Sequence, residues 1–375
     1  MPSKLFTPIA LSDLTLPNRV VIAPMCQYSA IDGSATDWHL AHLTQLSLGG
    51  AGLLMIEATG VSTEGRITLN CLGLYSAAPA AALQRPDAAC RRYGKTPIGI
   101  QLAHAGRKAS THVPGQGSQP LKPEEGAYAT VSSSAVPFAE GWHTPTALDR
   151  AGLARVRDDF VMAAKRADRL GIDLVELHAA HGYLMQQFLS PLVNRRSDDY
   201  GGSLANRMRF PLEVFAAVRA AWPTGVPLGA RINGTDAVDG GWSIEDAVIF
   251  ARARQGRGAD CVCVSGGATG GTAKIPIGPG YMGPLAQRVK RETGLATRAV
   301  GMIVTPAQAE AVVASEQADM VALARAVLDD PRWAWHAAEA LGARTAYPPQ
   351  YERTRAELWP GAKLARPEVA APAAG

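Results

Sequence analysis

Eight times along this chain, a short apolar run rich in Val, Ile and Leu is followed by a longer segment with helical periodicity. No other feature restricts the fold so tightly. Parallel strands need crossover connections, and a run of βα units of this number closes into a single (β/α)8 TIM barrel. Strands are predicted at 19–23, 53–58, 97–102, 172–177, 226–232, 260–264, 296–300 and 320–323. Helices are predicted at 38–48, 77–93, 149–170, 207–222, 243–255, 282–293, 306–315 and 331–341. Gly49-Gly50 stops the first helix and Asp149 caps the third. Two alternating pieces around Ser12-Asp13 predict an N-terminal hairpin that closes one end of the fold. One stretch breaks the rhythm: 105–147, after the third strand, is a long loop excursion rich in Gly, Pro and Ser. A loop of that length in a compact domain reads as a lid or an insertion. An open doubly wound sheet is the alternative topology, but no GxGxxG follows the first strand. The domain is read as residues 1–365, with an Ala/Pro-rich tail at 366–375 expected to be disordered.

In such a barrel, chemistry belongs at the carboxyl ends of the strands, and the residues there are polar or glycine while the strand interiors are not. The ends read Ala23-Pro24-Met25-Cys26, Ala58-Thr59, Gln101 to His104, and His178 with His181; then Arg231, Ser265-Gly266-Gly267, Gly301, and Ala324-Arg325. His178 and His181, three apart in a turn or first helical turn, can aim two donors at one ligand oxygen, with Tyr183 offering a proton nearby. The same string also suits packed or capping histidines, or two metal ligands. Gly301 and Arg325, past the seventh and eighth strands, stand where barrels often hold a phosphate; a surface ion pair is the competing role for Arg325.

Composition removes several classes. With 47% hydrophobic residues the chain can bury one large core. A net charge of +4, with acids and bases interspersed, gives no polybasic stretch for nucleic acid or an anionic membrane. No apolar run reaches a membrane span, and the opening residues lack the long apolar segment of a signal peptide. Five cysteines without framework spacing suggest reduced thiols and a cytoplasmic setting. Cys261 and Cys263 should share one strand face as small buried hydrophobes, and no zinc spacing accompanies them, so no metal is expected.

Pro24-Met25-Cys26-Gln27-Tyr28, Gln101 to Lys108, His178 to Tyr183, Ser190-Pro191, and Asp199 to Ser203 with Asn206-Arg207 together resemble the old yellow enzyme family, FMN-dependent ene-reductases. The likeness runs in order from Leu5 to about Arg353, and Cys26 with Tyr28 is most similar to the bacterial, thermophilic-like subgroup that includes xenobiotic reductases. The resemblance implies that Ala23, Pro24, Met25, Cys26, Ala58, Gln101 and Arg231 line the flavin ring, and that Gly301, Ala324 and Arg325 hold its phosphate. Family members often carry glycine where this chain has Ala324. It further implies that His178 and His181 bind a carbonyl and that Tyr183 donates a proton. NADPH or NADH would reduce the FMN, and activated alkenes would be the small-molecule substrates. The subgroup is also oligomeric, with an arginine matching Arg353 reaching a neighbouring active site, so a homodimer or homotetramer is expected. Pro348-Pro349 should hold that last segment extended.

The residue types agree with flavin chemistry, since a permanent cation such as Arg231 suits the charge that develops near flavin N1 and O2. Cys26 is either a weak sulfur contact to the flavin or a small buried hydrophobe, and Tyr28 and His104 are either pocket walls or packed residues. A flavin-free, phosphate-binding barrel lyase or isomerase is the second class. It needs a lysine or carboxylate base at a strand end; Glu57 and Glu176 lie within strands, but no lysine stands there. A metal hydrolase is third and lacks a third ligand. An iron–sulfur dienoyl-CoA reductase type would need a cysteine cluster and an extra domain, neither of which is in the chain.

Overall fold

Eight parallel strands hydrogen-bond in sequence order and close on themselves, so the predicted barrel is the observed one and the open sheet is excluded. In the computed structural model, which describes residues 2–270, 275 and 277–365, the strands are β1 (Val20–Ile22), β2 (Leu53–Gly60), β3 (Ile98–Ala103) and β4 (Leu174–Ala179), then β5 (Leu228–Asn233), β6 (Cys261–Ser265), β7 (Ala296–Ala299) and β8 (Met320–Leu323). The expected disordered tail, 366–375, lies outside the described residues. The outer helices are α1 (Asp37–Ser47), α2 (Ala77–Tyr93), α3 (Arg150–Arg169), α4 (Leu204–Ala221), α5 (Ile244–Gln255), α6 (Gly283–Thr293), α7 (Pro306–Ala314) and α8 (Trp333–Ala340).

Two packed layers explain why the strands read as near-continuous apolar runs. One face of each strand meets the helices, as where Ile100 and Val175 join Val156, Phe160 and Phe215 in one buried cluster. The other face fills the barrel's amino end, where Val21, Leu53, Met55, Leu174, Cys261, Cys263 and Met320 pack together. The N-terminal hairpin (Ile9–Leu11 with Leu14–Leu16) adds Leu11 and Leu16 to that same cluster, so it plugs the barrel floor. Cys261 and Cys263 do share one buried face, and all five cysteines are free.

Caps set several helix starts. The Asp149 carboxylate accepts from the Gly152 N–H (2.7 Å), and Thr305 and Ser243 form capping boxes at α7 and α5. The fourth outer helix starts three residues earlier than the periodicity suggested, because Ser203 caps it by accepting from Asn206 N–H. A short helix at Leu184–Leu189 was not anticipated; all six residues are buried and tertiary packing dictates it. The 105–147 excursion holds three 3-10 turns and a two-residue parallel pairing, Val131–Ser132 with Thr146–Ala147. The segment after α8 departs from expectation: Pro349–Thr354 is a 3-10 helix, not an extended strand. Pro348 is extended, but Pro349 occupies the first helical position, where its fixed φ suits a helix start.

Candidate active site

The histidine pair straddles the end of a strand. His178 is the penultimate residue of β4 and register partner of Arg231 on β5, so the pairing ladder runs past the predicted strand end at 177. His181 follows in a left-handed turn (φ 57°), with Gly182 also left-handed (φ 70°). A Cβ at Gly182 would crowd the Ala268 carbonyl, which is why glycine stands there. Two contacts hold the unusual histidine backbone: its N–H donates to Asn233 Oδ1 (3.0 Å), and its carbonyl accepts from Lys108 Nζ (2.8 Å). Tyr183 then caps the short helix. The His178 ring lies edge-on to His181 (5.1 Å between centroids, 84°) and to Tyr183 (4.9 Å, 85°).

Burial decides the protonation states. Desolvation, reinforced by the Arg231 and Lys108 cations, holds both imidazoles well below their usual range, so they are neutral near pH 7. Burial, with Cys26 and Tyr28 nearby, pushes the Tyr183 phenol well up, so it keeps its proton. Each neutral ring can offer an N–H, and the protonated phenol an O–H, to a ligand. Among the described residues no group of three His, Cys, Asp or Glu could hold a metal ion.

Beside the histidines opens a cavity of about 700 Å³. Of the expected site residues, Ala23, Pro24, His181, Arg231, Gly301, Ala324 and Arg325 line it. Its far end is shaped by Gly301 at φ 106°, where a Cβ would meet Tyr281 at 2.9 Å and Met282 at 3.0 Å. Arg231 has a buried Nε without a partner among the described residues, and Arg325 stands exposed at the rim. These features fit a flat, anionic nucleotide: an apolar wall at Ala23 and Pro24, an unspent guanidinium N–H inside, and a backbone cradle beside a second arginine.

The other expected residues are not among those lining this cavity. Met25 packs on the core, and Ala58 and Gln101 lie within β2 and β3 and not past their ends. Gln101 Nε2 donates to Glu176 (2.7 Å), which leaves its amide oxygen for a ligand donor. Cys26 is half-buried, and burial pushes its thiol up, with Tyr28 as a hydrogen-bond partner; Tyr28 itself sits at φ 50°. His104 is buried against the Gly65 loop with Nδ1 accepting from Gly106 N–H (3.1 Å), so it is a packed residue. Arg353 is exposed on the 3-10 turn and lines no part of its own cavity.

Both carboxylates that a flavin-free lyase would need are otherwise engaged. Glu176 is buried against Arg298 and receives Gln101. Glu57 accepts from the Gln27 N–H (3.0 Å), with His39 Nε2 at 3.3 Å, and so anchors the loop that carries Cys26 and Tyr28. Sequence reasoning gave no role to Lys108, Asn233 or Ser265. Lys108 Nζ also sits 5.0 Å above the Tyr183 ring, and Ser265 Oγ lies 2.8 Å from His181 Nε2. Asn233 and Ser265 were signalled only by the polar character of the strand ends, and Lys108 only as the last residue of the Gln101 to Lys108 string.

A closed (β/α)8 barrel with a nucleotide-sized cleft at its strand carboxyl ends, lined by cations and donors, has the form of a nucleotide-binding barrel enzyme. The chain matches the NADH:flavin oxidoreductase / NADH oxidase family over residues 4–343. It is 41% identical to the NADPH dehydrogenases of Listeria innocua serovar 6a and Geobacillus thermodenitrificans over 355 residues, which cover 94% of this chain and 99% of each relative. Among solved structures, morphinone reductase in complex with tetrahydroNAD superposes with a TM-score of 0.73 at 28% identity, covering 92% of this chain and 93% of that one. A 2-naphthoyl-CoA reductase complex shares the fold (TM-score 0.81, 22% identity, 91% of this chain), and this chain spans about half, 52%, of that larger protein. This chain therefore belongs to the NADH:flavin oxidoreductase / NADH oxidase family, the old yellow enzymes, and is an FMN-dependent oxidoreductase that uses NADPH or NADH.

Proposed function

We propose that the protein is an ene-reductase for small activated alkenes: α,β-unsaturated carbonyl, imide or nitro compounds. The observation that carries this reading is the convergence of two neutral imidazoles and a protonated phenol beside the cavity. Bound FMN supplies two-electron transfer between NAD(P)H and the alkene. Arg231, Gln101 and the Ala23–Met25 stretch would hold its ring; Gly301, Ala324 and Arg325 would hold its phosphate.

Within the protein, His178 and His181 donate hydrogen bonds to the substrate's activating oxygen and stabilise the charge that develops there. Their lowered basicity suits the task, because a neutral donor remains a donor throughout the physiological range. Tyr183 holds a proton for the α-carbon. Cys26 and Tyr28, anchored through Glu57, form the wall at the opposite edge. Among the described residues no helix is long and apolar enough to cross a membrane, and a cytoplasmic enzyme acting on small molecules is the reading we favour.

The test is anaerobic NADPH oxidation by the flavin-loaded protein with 2-cyclohexenone, N-phenylmaleimide and nitrostyrene. Turnover of at least one, lost in the His178→Ala/His181→Ala double variant that still retains flavin, is the expected result. Flavin reduction without turnover of any of the three would overturn the reading.

A further inference from the structure

The two histidines have their protein partners on different ring nitrogens. At His178, Nδ1 accepts a hydrogen bond from the Ala180 N–H (3.3 Å), so this neutral ring carries its proton on Nε2. At His181 the partner sits on the other nitrogen: Ser265 Oγ lies 2.8 Å from Nε2. We propose that Ser265 sets the tautomer of His181 by donating to Nε2, which leaves Nδ1–H as the donor that faces a ligand oxygen. The pair would then meet that oxygen with opposite nitrogens, Nε2–H of His178 and Nδ1–H of His181.

The direction of the serine bond follows from an accounting of donors. Arg231 Nη2 lies 3.5 Å from the same Ser265 oxygen, and a guanidinium can only donate. Ser265, last residue of β6, is 5% exposed. Were His181 Nε2 also protonated, the serine oxygen would receive two N–H groups. Its own buried hydroxyl hydrogen would then have no acceptor among the described residues, which is costly. Donation to Nε2 satisfies all three groups and orders the bonds in one sense, Arg231 to Ser265 to His181, so that each polarises the next. The alternative tautomer would turn an Nδ1 lone pair toward the ligand oxygen, lone pair against lone pair. Burial keeps His181 neutral, so the choice of nitrogen matters at every working pH.

This inference rests on the substrate role proposed above for the pair, and one experiment separates the two. Flavin-loaded protein labelled with 15N-histidine is read by long-range proton–nitrogen correlation, with His181→Gln supplying the assignment. The wild type should show His181 as the Nδ1–H tautomer and His178 as Nε2–H. Ser265→Ala should shift His181 toward Nε2–H, leave His178 unchanged, and weaken binding of p-hydroxybenzaldehyde roughly three- to tenfold. Ser265→Thr, which keeps the hydroxyl, should restore both. A wild-type His181 protonated at Nε2, or a Ser265→Ala protein whose His181 tautomer does not move, overturns the assignment. Phenol binding that survives in the His178→Ala/His181→Ala variant overturns instead the substrate role of the pair, whatever the tautomers are.

Discussion

Lys108 and Tyr183 show how single side chains in this site depend on one another. Lys108 is held by the His181 and Ala268 carbonyls (2.8 and 3.0 Å) and lies over Tyr183 and Phe138 (5.0 and 4.8 Å). Burial, with the Arg107 cation beside it, lowers its ammonium from 10.5 to about 8. Neither site histidine titrates near neutrality and Tyr183 stays protonated, so turnover of 2-cyclohexenone should be flat from pH 6 to 7.5. Activity should then fall as Lys108 loses its charge above about pH 8. Stability moves the other way: between about pH 8 and 10.5 the folded chain binds fewer protons than the unfolded one, so this lysine makes stability rise with pH. Lys108→Met should abolish the alkaline limb and lower kcat/KM roughly fivefold or more; a limb that persists in the variant assigns the titration elsewhere. Tyr183→Phe should slow the alkene half-reaction by about 10²–10⁴-fold while flavin reduction by NADPH is little changed. Stopped-flow traces slowed equally in both halves would reduce Tyr183 to a pocket wall. His178, His181 and Tyr183 were legible because one hexapeptide holds them all. Lys108 and Ser265 were not, because their partners lie 73 and 84 residues away in sequence.

At the scale of elements, the site is a set of loops tied by buried polar anchors. Arg107 donates to the Val136 and Pro137 carbonyls (3.3 and 2.8 Å) in the excursion, and to the Thr269 carbonyl (2.6 Å) after β6. Thr269 in turn donates to Asp236 (2.6 Å), which also accepts from Ser190 (2.6 Å) and Gln186 (2.9 Å). One guanidinium thus binds the excursion to the loop after β6, while burial lowers its pKa only to about 10, leaving it charged. Arg107→Met should cost about 2–4 kcal/mol, since charged hydrogen bonds are lost and three carbonyls are left without their donor. Limited proteolysis should then cut first in the excursion, with KM rising more than kcat falls; an excursion that resists proteolysis as the wild type does would show that other contacts hold it. The excursion was visible in sequence as a break in rhythm, but its anchoring was not, since nothing near Arg107 in sequence points to the carbonyls of Val136, Pro137 and Thr269. Helix starts were legible where a cap residue carries the signal, as at Asp149. Strand ends were less so, because inter-strand pairing extends them: His178 lies inside a strand that composition would end at 177.

For the whole molecule, the barrel was legible because its constraint repeats eight times, so errors at single boundaries do not change the count. Quaternary structure has no such repetition, and here the chain offers Arg353, exposed after α8, and its surroundings. The segment after α8 is fixed to the barrel by an aromatic ladder: Tyr347 stacks on Trp335 (4.1 Å between centroids), and Arg332 lies 4.5 Å over Trp335 and 5.0 Å over Tyr351. Thr345 Oγ1 donates to the Gly50 carbonyl (2.6 Å), close to where β1 begins, so the segment starts from the amino end of the barrel, away from its own cavity. Arg353 therefore sits on a well-anchored turn, exposed, with Leu358 and Leu364 exposed just beyond it (56% and 87%). A cation and apolar side chains presented on a fixed support suit a neighbouring copy of the chain better than solvent. The prediction is that the protein is a dimer or a dimer of dimers in which Arg353 completes a partner's substrate pocket. Arg353→Ala should keep its flavin and lose activity. Co-expression with His178→Ala should then restore about a quarter of the wild-type activity per site, since half the dimers are hybrids and one of their two sites receives both native groups. A protein that is monomeric by light scattering at assay concentration and fully active would end the idea; so would a dimer in which Arg353→Ala is as active as the wild type.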